Sequence, residues 1–183
     1  MGRIVSNFFI SLDGVVEAPN EWHFPYFDDA MGTIVGKGME NQAAFLMGRR
    51  LYDEWSEYWP QQGDEVPFSS HINTMPKYVL THRPIEGSLW NNTTVLGDDA
   101  VAQVRALKDT TDGDIAMSGC ATTVRWLLAN DLLDELALLV HPIAVGKGQR
   151  LFEDTPTVPL TLLSSGALPS GVLHLRYAPA TTQ

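Results

Sequence analysis

Apolar residues crowd the segment from Ile4 to Leu12 and stop at Asp13-Gly14, which predicts a buried first strand running into a tight turn. A loop with an aromatic cluster, Trp22, Phe24, Tyr26 and Phe27, follows, and Asp28-Asp29 opens a helix that runs to about Asn41. Ala43 to Met47 reads as a short buried strand, turned by Gly48-Arg49-Arg50 into a helix from Leu51 to Trp59. The polar stretch from Pro60 to Pro76 reads as a surface excursion, long enough to be functional or mobile. Beyond it, Lys77 to Thr81 and Thr93 to Leu96 are strands, and Asp98-Asp99 begins a helix with Val101, Val104 and Leu107 on its inner face. Ile115 to Met117 is the next strand, and Val124, Leu127 and Leu128 then recur as one face of a helix. Leu136 to His141, Pro159 to Ser164 and Val172 to Tyr177 close the pattern as three strands with no long helix between them. Thr181-Thr182-Gln183 is expected to fray.

Strands alternating with helices imply a mainly parallel sheet covered on both faces, and the strand-rich end implies an antiparallel edge. The expected class is therefore α/β, a three-layer sandwich formed by one domain over residues 1–183. No apolar run approaches the ~20 residues that cross a bilayer. Met1-Gly2-Arg3 leads straight into a strand with no secretion signal, and Cys120 is the single cysteine, so a cytoplasmic setting is expected. The net charge of −10 argues against nucleic acid as a general partner. An anionic small ligand is still compatible, because a hydrogen bond to a charged group contributes ~1.5–3 kcal/mol locally while distant exposed charges are screened.

The most informative stretch is Asp114-Ile115-Ala116-Met117-Ser118-Gly119-Cys120-Ala121-Thr122-Thr123. Here a strand hands over to a helix at a glycine, a place that presents free backbone N–H groups and the positive end of a helix dipole to an anion. Neither the dinucleotide fingerprint nor the P-loop pattern is present, and many such turns carry Gly and Ser or Thr merely to cap a helix. Two further strand ends carry suitable chemistry, Met47-Gly48-Arg49-Arg50 and Leu80-Thr81-His82-Arg83. In open α/β sheets ligands bind beyond the carboxyl ends of the strands, where these three loops can meet.

With Ser11-Leu12-Asp13-Gly14, Asp134-Glu135-Leu136, Pro142, Gly146-Lys147-Gly148 and Leu151-Phe152 added, the chain from about Arg3 to Tyr177 resembles the dihydrofolate reductase-like family. Within it, the likeness is to the branch around the riboflavin-biosynthesis reductase domain. That resemblance implies a dihydrofolate reductase-like sheet, a homodimer, and reduction of a small heterocyclic or sugar-derived substrate by NADPH. It places Gly48, Arg49 and Arg50 against the cofactor phosphates and Thr81, His82 and Arg83 around an adenosine 2′-phosphate. Ser118, Gly119, Cys120, Ala121 and Thr122 come to lie along the pyrophosphate, with Cys120 as a small packing residue. Asp28 follows Trp22 and Pro25 roughly where folate enzymes carry their acid, one residue later than their spacing, and its other reading is a helix cap. Asp13 and Glu17 fall in the loop expected over the nicotinamide, and Asp13 is the second candidate for proton chemistry. Trp22, Glu17 and Lys147 are the expected substrate contacts, and no metal is expected.

Two other classes fit the same residues. A non-catalytic nucleotide-binding module would keep the phosphate turns and fill its pocket with Trp22, Phe24, Tyr26 and Phe27. A transferase or hydrolase built on Cys120 needs a base brought from elsewhere in the fold.

Overall fold

The computed structural model describes residues 1–180, and the expectation for Thr181 to Gln183 lies outside them. Its elements run β1 (Arg3–Ser11), α1 (Asp29–Glu40), β2 (Gln42–Gly48), α2 (Arg49–Tyr58), α3 (Ser69–Thr74), β3 (Lys77–Leu80) and β4 (Thr93–Leu96). They continue with α4 (Ala100–Thr110), β5 (Asp114–Ser118), α5 (Ala121–Ala129), β6 (Glu135–His141), β7 (Leu160–Ala167) and β8 (Leu173–Pro179). One eight-stranded sheet has the order β4-β3-β2-β5-β1-β6-β8-β7. The first six strands are parallel, whereas β8 pairs antiparallel with both β6 and β7.

Alternation along β1 assigns the two faces. Ile4, Phe8 and Ile10 point with Ile115, Met117, Leu136 and Leu138 into a core closed by Val104 and Leu107 of α4 and Val124 and Leu127 of α5. Asn7 and Phe9 point the other way, toward α1 and α2, where Phe45, Met47, Tyr52 and Ile72 form one cluster and Met31 packs with Leu139 and Val172 in another. Helix α1 starts because the Asp28 carboxylate accepts the Met31 N–H at 2.8 Å. Helix α4 starts the same way, from Asp99 to the Ala102 N–H at 3.3 Å.

The stretch from Pro60 to Pro76 is mostly exposed, as expected of a surface excursion, but it is anchored. It contains α3, which buries Ser69 and Ile72. Lys77 fixes it from below: the fully buried ammonium donates to the carbonyls of Asn73, Met75 and Asn91 at 3.0, 2.7 and 3.2 Å and lies 4.2 Å from the Trp90 ring centre. A lysine that no carboxylate among the described residues neutralises is held here by carbonyl dipoles and an aromatic face. At the other edge nothing comparable among the described residues covers β7, and Leu162 and Leu163 of that strand are each 51% exposed.

Candidate active site

Strands β3, β2 and β5 are parallel neighbours, so the turns after Leu80, Gly48 and Ser118 leave one edge of the sheet together. Helix α2 begins directly at Arg49, earlier than the sequence pattern indicates, with Gly48 as its N-cap. Helix α5 begins after Cys120, and neither helix has a side chain capping its first turn. Two adjacent helix starts thus leave their first N–H groups open and aim two positive dipole ends, each about half a charge, at one place. Their contact is close: a Cβ on Gly48 would lie 2.5 Å from Thr123 Oγ1 and 2.6 Å from Cys120 Sγ. Gly119 turns the corner at φ +66°.

Arg49 joins the second corner to the third. Its Nη1 donates to the carbonyls of Arg83 and Pro84 at 3.1 and 2.8 Å, and its Nε pairs with Asp53 at 2.7 Å. Thr81 Oγ1 accepts the Arg83 N–H at 3.1 Å, which tightens the turn after β3. The His82 and Arg83 side chains stand exposed, with no hydrogen bond to another described residue. Arg49 is therefore a brace for the turn, and Arg83 is the guanidinium left facing outward.

Loops after β1 and β6 form the remaining side. Asp13 accepts from Ser11 Oγ at 2.6 Å, from Val145 N at 3.0 Å and from Gly146 N at 2.8 Å. The Ser11 hydroxyl, then the two amides, hold its carboxyl down at about 2. Glu17 accepts the Gln149 N–H at 2.7 Å and stands 3.5 Å from the Arg50 guanidinium, while Gln149 Nε2 reaches the Thr122 hydroxyl at 3.3 Å. Lys147 is exposed on the same loop. Five loops are thereby laced together at one end of the sheet.

Several of the expected roles change. Asp28 caps α1 with one oxygen and accepts the Ser170 N–H at 3.1 Å with the other, and the Met31 amide, chief among these donors, lowers its pKa. A carboxylate held ionised in this way is a poor proton donor; Asp13 is poor for the same reason. Trp22 is buried, donates to the Glu17 carbonyl at 3.1 Å and meets the His141 ring edge-on, so it pins the loop. Of the other aromatics in this loop, Tyr26 meets His141, while Phe24 and Phe27 pack on His23 and are 65% and 44% exposed. Burial lowers the pKa of both His23 and His141, which keeps these core rings neutral. Cys120 packs against the core and its Sγ has the Thr123 hydroxyl, at 2.9 Å, as its one hydrogen-bond contact among the described residues, with no base beside it.

A cavity of about 140 Å³ opens on the α1 face of the sheet, with Ser118 among its lining residues. Asn7, Phe9, Val35, Trp55 and Leu139 are among its walls.

A family model described as the RibD C-terminal domain matches residues 3–174. The chain belongs to the RibD C-terminal domain family. The Bacillus subtilis protein YyaP is 28% identical over 181 residues, covering 96% of this chain and 94% of YyaP. A diaminohydroxyphosphoribosylaminopyrimidine deaminase/5-amino-6-(5-phosphoribosylamino)uracil reductase of Thermotoga maritima superposes with a TM-score of 0.69 at 15% identity, over 98% of this chain and 57% of that one. A dihydrofolate reductase of Enterococcus faecalis, complexed with NADP(H), superposes with a TM-score of 0.61 at 13% identity, over 97% and 96% of the two chains. The fold of this RibD C-terminal domain is thus dihydrofolate reductase-like, as the sequence resemblance implies.

Of the expected site residues, Gly48, Arg49, Arg50, Thr81, His82, Arg83 and the run from Ser118 to Thr122 share one end of this domain. Glu17 and Lys147 border it. The cavity walls escaped the sequence reading apart from Ser118. One signal for them was visible: Asn7 is an amide in the middle of the apolar run of β1, where a purely structural strand has no use for it.

Proposed function

We propose that this RibD C-terminal domain is an NADPH-dependent oxidoreductase that reduces a C=O or C=N bond of a small heterocyclic or sugar-derived molecule in the cavity beside Ser118. The observation carrying the reading is the pair of uncapped helix starts of α2 and α5, in contact at Gly48 and open to an anion. The Thermotoga reductase and the NADP(H)-bound dihydrofolate reductase share this fold and support the choice of cofactor.

The residues present fit such a group. A Cβ at position 48 would fill the seam between the helix starts, and the first N–H groups of both helices are free of side-chain caps. Amides at residues 121–123 and 49–51 would hold the pyrophosphate, and His82 and Arg83 the ribose phosphate that distinguishes NADPH from NADH. When bound, the cofactor supplies the hydride. The protein contributes orientation and a laced cover: Asp13 fastens the β1 loop to Val145 and Gly146, and Glu17 fastens it to Gln149, which limits water at the reacting face. With Asp13 and Asp28 both held as carboxylates, the proton that completes reduction comes from water or from the substrate pocket rather than from either acid.

The same reading includes a cytoplasmic homodimer. No helix among the described residues is long and apolar enough to cross a membrane. The bare strand β7, with Leu162 and Leu163 exposed, supports pairing of two copies through this edge. Sedimentation of the wild type and of Leu162→Lys tests it, and a monomeric wild type refutes it.

Thermal unfolding with NADPH, NADH and flavins is the primary test. A nucleotide at 100 times its dissociation constant adds ~2.7 kcal/mol, and NADPH is expected to do so at lower concentration than NADH. Arg83→Ala is expected to narrow that preference by about tenfold or more. Equal shifts from both nucleotides, or none, refute the proposal.

A further inference from the structure

The cavity on the α1 face has a size, a charge and a set of polar groups that together describe its occupant. At about 140 Å³ it matches a space that takes one six-membered ring, since a ~150 Å³ cavity lined by aliphatic and aromatic side chains accommodates benzene. Its walls are chiefly apolar: Phe9 and Leu139 from the sheet, Ile34 and Val35 from α1, and Trp55 from α2. No aspartate or glutamate lines it, so nothing there matches the protonated face of an aminopyrimidine ring, and Asp28 is held by Met31 and Ser170.

Toward the amino ends of the strands the cavity opens into a second compartment of about 310 Å³, which Asn7 and His174 also line. The charges in that compartment already face one another. Arg176 forms a double hydrogen bond to Glu135 at 2.5 and 2.8 Å, and Arg3 pairs with Asp114 at 3.0 Å. Lys37 is exposed to water. Arginines so engaged offer little to an added phosphate, because binding it means breaking an existing pair.

Two polar side chains at the junction are uncommitted. The Asn7 amide and the His174 ring make no hydrogen bond to any other described residue, whereas Gln42 is joined to His71 at 3.0 Å. Burial first, then the Arg176 charge, lowers the pKa of the His174 imidazole, with Glu135 opposing, so the ring is a neutral donor at pH 7.

We infer that this cleft takes an uncharged monocyclic carbonyl compound, its ring against Phe9 and Trp55 and its oxygen between Asn7 and His174. The apolar space holds one ring, so a pterin would have to extend into the wider compartment, and a phosphorylated pyrimidine would find there, besides the paired arginines, only the water-exposed Lys37. The inference rests on the reductase reading only for the chemistry. There a hydride from NADPH goes to the carbonyl carbon and a proton from water to the oxygen, giving an alcohol and NADP⁺.

Binding and turnover are measured separately on the whole protein. Cyclohexanone, 1-decalone, 4-oxocyclohexane-1-carboxylate and dihydrofolate are each titrated with and without NADPH, following the Trp55 indole signal by NMR. Cyclohexanone is expected to move that signal and to bind at least tenfold more tightly than the other three. Asn7→Ala and His174→Ala are each expected to weaken it by about three- to tenfold, the loss of one hydrogen bond. Ala116→Leu, which adds volume to the wall, abolishes binding; if that variant does not fold, the two polar substitutions carry the test. Dihydrofolate or the carboxylate binding as tightly as cyclohexanone overturns the inference, as does an unmoved Trp55 signal. Cyclohexanone binding without NADPH oxidation upholds the ligand class and refutes the reductase reading instead.

Discussion

Replacing Gly48 with alanine tests the seam between the two helix starts. Gly48 has φ −79° and ψ 164°, an extended conformation that alanine adopts freely, so any cost is steric. The added methyl would sit 2.5 Å from Thr123 Oγ1 and 2.6 Å from Cys120 Sγ, and Thr123 is buried, with little room to yield. Forcing one carbon into a packed seam costs about 1–3 kcal/mol. At roughly 2–4 °C per kcal/mol for a chain of this length, the melting temperature should fall by about 2–12 °C. Because α2 and α5 must part to admit the methyl, their amides no longer converge, and NADPH affinity should drop at least tenfold. Scanning calorimetry reads the first effect and fluorescence titration the second. Cys120→Ala with Thr123→Ala removes both atoms the methyl meets, so in that background Gly48→Ala should be nearly neutral for stability. A full penalty in that background, or a Gly48→Ala protein that melts and binds like its parent, refutes the steric argument.

Asp28→Asn should leave steady-state reduction of any accepted substrate within twofold, since asparagine caps a helix about as well as aspartate. A loss of about 10²-fold or more would restore the proton-donor role. The Asp13 carboxyl is held near 2 instead of 3.8, so its stabilising contribution is complete above the ordinary value and disappears as the pH falls through about 2. The melting temperature of Asp13→Asn should therefore start lower at neutral pH and decline less than that of the wild type between pH 4 and 2, and parallel curves would contradict this. Trp22→Phe removes the bond to the Glu17 carbonyl and should loosen the loop, at about 1 kcal/mol and with faster amide exchange at residues 15–18. Unchanged exchange there would show that the bond does not hold the cover.

Much of the fold was legible because most of the strands are buried on both faces or end at glycine punctuation. Asp28 and Asp99 announced their helices as caps, and the convergence of Gly48, Arg83 and Gly119 follows from parallel strand order alone. The short helix around Ser69 and Ile72 within the surface excursion escaped because its polar composition hides one amphipathic turn. Its anchor, Lys77, is a residue type that composition assigns to the surface. The cavity escaped for a different reason. Its walls come from five strands and three helices, from β1 to β8, and no local period records which side chains of distant elements will face one another.

Two bare amide clusters make a small electropositive basin on a molecule whose overall charge is −10. An incoming polyanion is therefore repelled at long range and captured only within the last few ångströms. Raising ionic strength from 10 to 150 mM shortens the Debye length from ~30 to ~8 Å, which suppresses the distant repulsion more than the final contact. Capture of the nucleotide should speed up with added salt over that range, the reverse of what electrostatic steering produces in a basic protein.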